Sequence, residues 1–413
     1  MFRLRQTFQR PKVDNVDEEV RQQLAKLNLE NQVRPKDRVA ITVGSRGITG
    51  IAEIIRAIVR FFQELGTEPF LVPAMGSHGG ATAEGQQKVI ESYGVTESYC
   101  DCPIRSSMET VILGRASQGF DVHLDRQAAE ADHIVVCGRV KPHTNYFGPI
   151  QSGLMKMMLI GLGKHAGASV YHRAIHDFDF QQIIHSVAPL VIEHGKVLAG
   201  VAVVENAYDE TAHIEALAAN DIISREPELL KMAINYMAQL PFDDIDVVMI
   251  DEIGKEVSGT GLDTNIVGRK SCEHGTSKEE RPRVKRIIVR DLTPKSHGNA
   301  IGIGLVEFTV DRVVQKMDIH ATRINAVTAL HLTAAMIPIH YPSDAEVLEA
   351  GLGSLGMTLP SEANLVRIRN TLELAEVECS ANFLEEARRR KDLEVLSEPR
   401  PMTFDDDGNL SAI

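Results

Sequence analysis

Three segments combine a side chain able to move a proton or hold an anion with glycines that let a ligand approach the backbone. Gly44-Ser45-Arg46-Gly47 stands between a β-branched run and a helical pattern, where free backbone N–H groups and the helix dipole favour an anion. Arg46 adds a fork-shaped donor suited to phosphate or carboxylate, although the same glycines would equally serve a plain tight turn. Met75-Gly76-Ser77-His78-Gly79-Gly80 sets His78 among glycines at the end of a second apolar run, the edge where open parallel sheets bind ligands. His78 is thereby a candidate acid or base. Arg139-Val140-Lys141-Pro142-His143-Thr144-Asn145-Tyr146 offers His143 after a third run. If these loops converge, a substrate carbon between His78 and His143 could lose a proton to one and regain it from the other, as a racemase or epimerase requires. The alternative is two unrelated loop residues.

Gln151-Ser152-Gly153-Leu154-Met155-Lys156-Met157-Met158 embeds Lys156 among apolar side chains. Desolvation lowers an amine's pKa and makes it nucleophilic or linkable; a lysine at a helix end can instead snorkel to water. Downstream lie His165, His172 and His176. The last two are four apart and would share a helical face, as metal ligands could, but Arg173-Ala174-Ile175 between them lacks the glutamate of a zinc-hydrolase helix. Cys100 and Cys102 have no second pair and are assigned no role.

These loops need strands and helices to hold them. Arg38–Val43, Pro69–Val72, Ile134–Cys137 and Val197–Val204 read as strands, and the helical spacing of Ile51, Ile54, Ile55, Ile58, Val59 and Phe62 predicts a helix over Ile48–Leu65. Further helices are expected at Thr82–Tyr93 with Thr82 as N-cap, at Phe180–Glu193 kinked at Pro189, and at Glu226–Gln239. The alternation implies parallel sheets. A second rhythm starts at Asp246–Ile250, with strands at Arg286–Val289, Leu365–Ile368 and Leu374–Val377 and helices at Arg323–Met336, Asp344–Gly351 and Ala381–Lys391. The fold class expected is α/β: two mixed α/β domains with parallel-type sheets and an active-site cleft between them. The N-terminal domain would span residues 1–242 and bind a cofactor; the C-terminal domain, 243–413, would contribute substrate contacts.

Composition narrows the function. The 413 residues carry 44 Lys+Arg against 57 Asp+Glu, a net charge of −13, which offers no general attraction to nucleic acid or an anionic membrane. At 43% hydrophobic residues, with no Trp and five cysteines, the chain has neither a disordered composition nor a disulfide framework. No apolar run approaches the roughly 18 residues of a membrane span and the start lacks a signal-peptide core, so a cytoplasmic location is expected.

Taken in order, the Ser-Arg loop, the Gly-x-His loop, the Pro-His loop and a lysine with a histidine sixteen residues later resemble the nickel-pincer-nucleotide lactate racemase family. The resemblance implies that Lys156 tethers, through a thioamide, a pyridinium-3-thioamide-5-thiocarboxylic acid mononucleotide whose carbon and two sulfurs hold nickel, with His172 as the fourth ligand. It also implies that His78 and His143 form the acid/base pair, while hydride leaves and returns to C2 of a 2-hydroxy acid, and that Ser45 and Arg46 help to bind the cofactor. Val43 stands where the family often carries an aspartate. For the substrate, the second domain offers Lys295 and His297, together with Lys255, Asp263 and Asn265 in a glycine-rich loop over residues 251–265. Several polar groups there favour a polyhydroxylated acid, such as an aldonate, over lactate. Cofactor-biosynthesis proteins are implied as partners; the oligomeric state is not indicated. The alternatives are a non-catalytic nucleotide- or anion-binding α/β protein, and a metal-dependent hydrolase or lyase using His165, His172 and His176.

Overall fold

The computed structural model describes residues 1–45, 47–270 and 280–411; Arg46 therefore lies outside the described residues. The chain divides into two compact units, Gln9–Met237 and a second made of Met1–Phe8 with Ala238–Ile413. The first strand, β1 (Phe2–Gln6), pairs on both sides with C-terminal strands, so the N-terminal unit begins after it and not at residue 1. Alternate burial of Phe2, Leu4 and Gln6 shows a strand with one covered face, which five residues cannot announce in sequence.

The unit Gln9–Met237 is built on β2 (Arg38–Val43), β3 (Glu68–Pro73), a hairpin of β4 (Thr110–Arg115) and β5 (Asp121–Asp125), then β6 (His133–Arg139), β7 (Val197–Glu205) and β8 (Thr211–Ala218). Its main sheet runs β3-β2-β6-β7-β8, parallel except for β8. Val39, Ile41 and Val43 of β2 face the helix Ile51–Glu64 in one apolar layer, while Ala40 joins Phe70, Val72 and the helix Phe180–His194 in the other. Apolar residues on both faces are what a sheet covered on both sides requires. Thr82 caps the helix Ala83–Ser92 through Gly85 N–H, and Phe180–His194 continues as one helix through Pro189. The hairpin and β8 lack the parallel βα rhythm and were not legible. Because the chain passes from β2 to β3 on one side and later places β6 on the other, β2 and β6 flank a topological switch point, where the ends of such strands leave a crevice.

The C-terminal unit adds β9 (Asp244–Ile250), β10 (Arg283–Val289), β11 (Phe308–Val310), β12 (Ile339–Tyr341), β13 (Leu365–Ile368), β14 (Glu376–Cys379) and β15 (Leu393–Val395). The sheet order is β12-β11-β10-β9-β13-β14-β1-β15, parallel from β12 to β13 and antiparallel beyond. The helix expected over Arg323–Met336 is instead Ile319–Thr328 followed by a short 3-10 turn at Leu332–Ala335; Leu330 adopts φ +51°, which ends a right-handed helix. At the C-terminal ends of β9, β10 and β13, the buried Asp251, Arg290 and Arg367 join Asp344, and Leu410 N–H donates to Asp344 at 2.9 Å. No described helix is long and apolar enough to cross a membrane.

Candidate functional site

The loops after β2 and β3 meet directly. Ser45 Oγ lies 2.5 Å from His78 Nδ1, and Tyr93 Oη donates to the Ser45 carbonyl at 2.7 Å. The turn that presents His78 depends on Gly79, at φ +65°, where a Cβ would stand 2.6 Å from the backbone of Gly85 and Gln86. His78 itself is exposed.

Behind this loop is a network that sequence reasoning missed. Gln86, fully buried, donates to the carbonyls of Gly76 at 2.8 Å and His78 at 3.3 Å. Its own oxygen accepts from Lys164 Nζ at 2.9 Å. Lys164 also donates to the Pro73 carbonyl at 2.5 Å and pairs with Asp125 at 3.2 Å, both side chains wholly buried. Burial lowers the Lys164 ammonium pKa and raises that of the Asp125 carboxyl, each charge partly offsetting the other's shift. Lys164 was visible only as a lysine between glycine and histidine; its partners come from distant segments.

Lys156 closes the short helix Leu154–Lys156 and opens a π-helical turn, Met157–Gly161, a distortion frequent at functional sites. The turn lies across the carboxyl ends of the strands: Gly76 N–H donates to the Gly161 carbonyl at 3.3 Å, and the Met157 side chain packs over Gly44 and Gly138. A Cβ at Gly138 would stand 2.9 Å from Met157 Cγ. Lys156 is half-buried, with Nζ 5.3 Å from the Tyr146 ring centroid, within cation–π range. Tyr146 stacks in turn on His143 at 3.9 Å and on Phe180 at 4.1 Å. The structure thus brings His143 and Lys156 onto one aromatic group.

The rings of His143 and His172 are constrained in different ways. His143 Nδ1 accepts the backbone N–H groups of Asn145 at 3.0 Å and Tyr146 at 3.2 Å, so the proton of the neutral ring is on Nε2. His172, half-buried in the helix Lys164–Asp177, has its pKa lowered by burial, then by the charges of Lys156 and His176. That places the lysine and histidine of the sixteen-residue interval within electrostatic reach of each other. Among the described residues no three His, Cys, Asp or Glu side chains converge on a metal position, so the trio His165, His172 and His176 is not assembled; His165 and His176 are exposed. Cys100 and Cys102 are buried, which pushes their thiols up to about 11 and about 12, out of the reactive range.

In the C-terminal unit, Lys255 is exposed and donates to Asn325 Oδ1. Asp263 Oδ1 accepts both the backbone and side-chain N–H of Asn265, and Asp263 N–H donates to Thr371 Oγ1 at 2.8 Å. These two residues build their own turn. Lys295 and His297 are exposed on the 3-10 turn Pro294–Ser296 and its end.

Residues 4–180 match the family described as lactate racemase N-terminal domain. Among solved structures, the lactate racemase apoprotein from Thermoanaerobacterium thermosaccharolyticum is 14% identical, with a TM-score of 0.48 over 85% of this chain and 86% of that one. A structural-genomics protein from Thermotoga maritima is 13% identical, with a TM-score of 0.46 over 88% of this chain and 97% of that one. No curated protein matches the chain.

Proposed function

We propose that this chain, whose residues 4–180 match the lactate racemase N-terminal domain family, is an isomerase that inverts C2 of a 2-hydroxy acid with a nickel-pincer nucleotide tethered to Lys156. The family match supports a racemase or epimerase. The observation that carries the finer reading is the placement of Lys156 near His172: the lysine stands on a π turn laid over Gly44 and Gly138, and in the unloaded chain its ammonium adds to the effect of burial in lowering the histidine's pKa. A half-buried amine suits a covalent tether, and a neutral imidazole offers the lone pair a nickel ion needs. The residues present therefore fit the group. When bound, it supplies the acceptor and donor for the C2 hydride.

The two loop histidines take unequal parts in this reading. The serine hydroxyl beside His78 Nδ1 can donate or accept, so either tautomer is available and His78 serves as the base for the substrate hydroxyl. His143, with Nδ1 occupied by two backbone donors, presents an Nε2 proton and acts as a hydrogen-bond donor to substrate oxygen. Ser45 and Arg46 serve the nucleotide phosphate. Lys295 and His297 are the substrate-carboxylate candidates, with Lys255 at the hydroxyls of an aldonate-like acid; Asp263 and Asn265 shape the loop. The protein works in the cytoplasm and receives its cofactor from biosynthesis proteins.

Intact-protein mass and nickel content, measured after co-expression with the cofactor-making enzymes, test this against Lys156→Ala. An adduct with nickel in the wild type and neither in the variant is expected. Neither in the wild type, under conditions that load a known lactate racemase, would overturn the tether and favour an anion-binding protein.

A further inference from the structure

Glu226 has no place in the chemistry above, yet it is fully buried in the helix Ile222–Tyr236. Its Oε2 accepts the Met155 N–H at 2.9 Å, the Leu154 N–H also favours its charged form, and its Oε1 has no hydrogen-bond partner of good geometry. The residue before this short helix is Gly153, where a Cβ would stand 2.5 Å from Glu226 Oε1. A helix start is ordinarily satisfied by a Ser, Thr, Asp or Asn side chain at the cap. Here glycine occupies that position because a carboxyl from a distant helix needs the space.

We propose that Glu226 is the positioning residue of Lys156: its carboxyl caps the turn Leu154–Lys156 and so fixes where the amine stands at the ends of β2 and β6. Three residues followed by a π turn have no length of regular helix to fix their own direction, and the buried carboxyl holds the N–H groups one and two positions before the lysine. The inference rests on the reading of Lys156 as the tether for its purpose, but not for its geometry. Burial raises the carboxyl to about 7, so it changes charge near neutrality. The elements packed on its helix, Leu154–Lys156, β7 and the turn Ala219–Asp221, carry Lys156, Glu205 and Asp221, and none is among the causes of that shift. Loss of the charge weakens the two bonds to the turn, since an ionised acceptor holds an N–H more strongly than a neutral one.

Backbone hydrogen exchange on the full, unloaded chain reads this without the cofactor. Protection of the amides of residues 154–157, corrected for intrinsic rate, is expected to fall about tenfold from pH 8 to pH 6 in the wild type. In Glu226→Gln, which keeps the volume, it should be low at both pH values, and in Glu226→Asp partly restored. Protection that is constant with pH in the wild type, or unchanged in Glu226→Gln, would overturn the proposal, and the wild-type profile decides even if the variants fold poorly. Co-expression then separates the two readings: an adduct in the wild type that drops at least about tenfold in Glu226→Gln supports positioning. Absence of the adduct from the wild type refutes the tether and leaves the exchange profile to decide Glu226.

Discussion

His78 and His143 differ in what their Nδ1 atoms already do, and that difference should show in kinetics. Nδ1 of His143 accepts two backbone N–H groups, which leaves Nε2 and its proton to face a ligand, whereas Nδ1 of His78 shares a hydrogen bond with a hydroxyl that can donate or accept. His78→Ala should lower turnover by about 10²–10⁴ and remove the acidic limb of the kcat/KM profile. His143→Ala should lower turnover while leaving that limb in place. An acidic limb lost with His143 instead would reverse the assignment. Glu226 makes a separate prediction about stability. Its carboxyl is raised to about 7 from the ordinary 4.5, so between those values the folded chain holds a proton that the unfolded chain has released. Stability therefore falls as pH rises from 4.5 through 7 and changes no further above. The loss through this group is on the order of 3 kcal/mol. Urea unfolding at pH 5 and pH 8 should show that loss in the wild type and little of it in Glu226→Gln.

At the scale of elements, what was legible is what a short window encodes. The strand Arg38–Val43 was readable to the residue, and the helix after it within a few, because a continuous β-branched run and a helical periodicity each fall inside a single segment. The loops bearing Ser45, His78 and His143 followed from being the connections at the ends of those strands. Leu330 defeated the helical reading of residues 323–336, since a positive φ leaves no mark on hydrophobic spacing. Lys164 was illegible as a structural centre because Pro73, Gln86 and Asp125, which surround its amine, are 91, 78 and 39 positions away. That network also predicts. Lys164→Met removes the donor to Pro73 and Gln86 and leaves Asp125 buried with no cation beside it, at a cost of about 3–5 kcal/mol. Differential scanning calorimetry should show it, and Lys164→Met with Asp125→Asn should recover part of the loss. Full additivity in that pair would mean the two side chains are not coupled.

The whole chain carries the same device twice, a parallel sheet with a switch point, once between β2 and β6 and once between β9 and β13. The recruitment of β1 into the C-terminal sheet was hidden because pairing partners hundreds of residues away leave no local signal. The division of labour between the units can be tested with either one's residues. Every group proposed to hold the cofactor, Ser45, Arg46, Lys156 and His172, belongs to Gln9–Met237, whereas Lys295 belongs to the C-terminal unit and is exposed there. Lys295→Ala should therefore leave the Lys156 adduct and bound nickel at wild-type stoichiometry. Removing one charged donor from the substrate carboxylate should at the same time lower kcat/KM about 10²-fold. If the adduct is lost with Lys295, cofactor loading needs both units and the division fails; if turnover is untouched, the carboxylate is held elsewhere, with His297 the next side chain to replace.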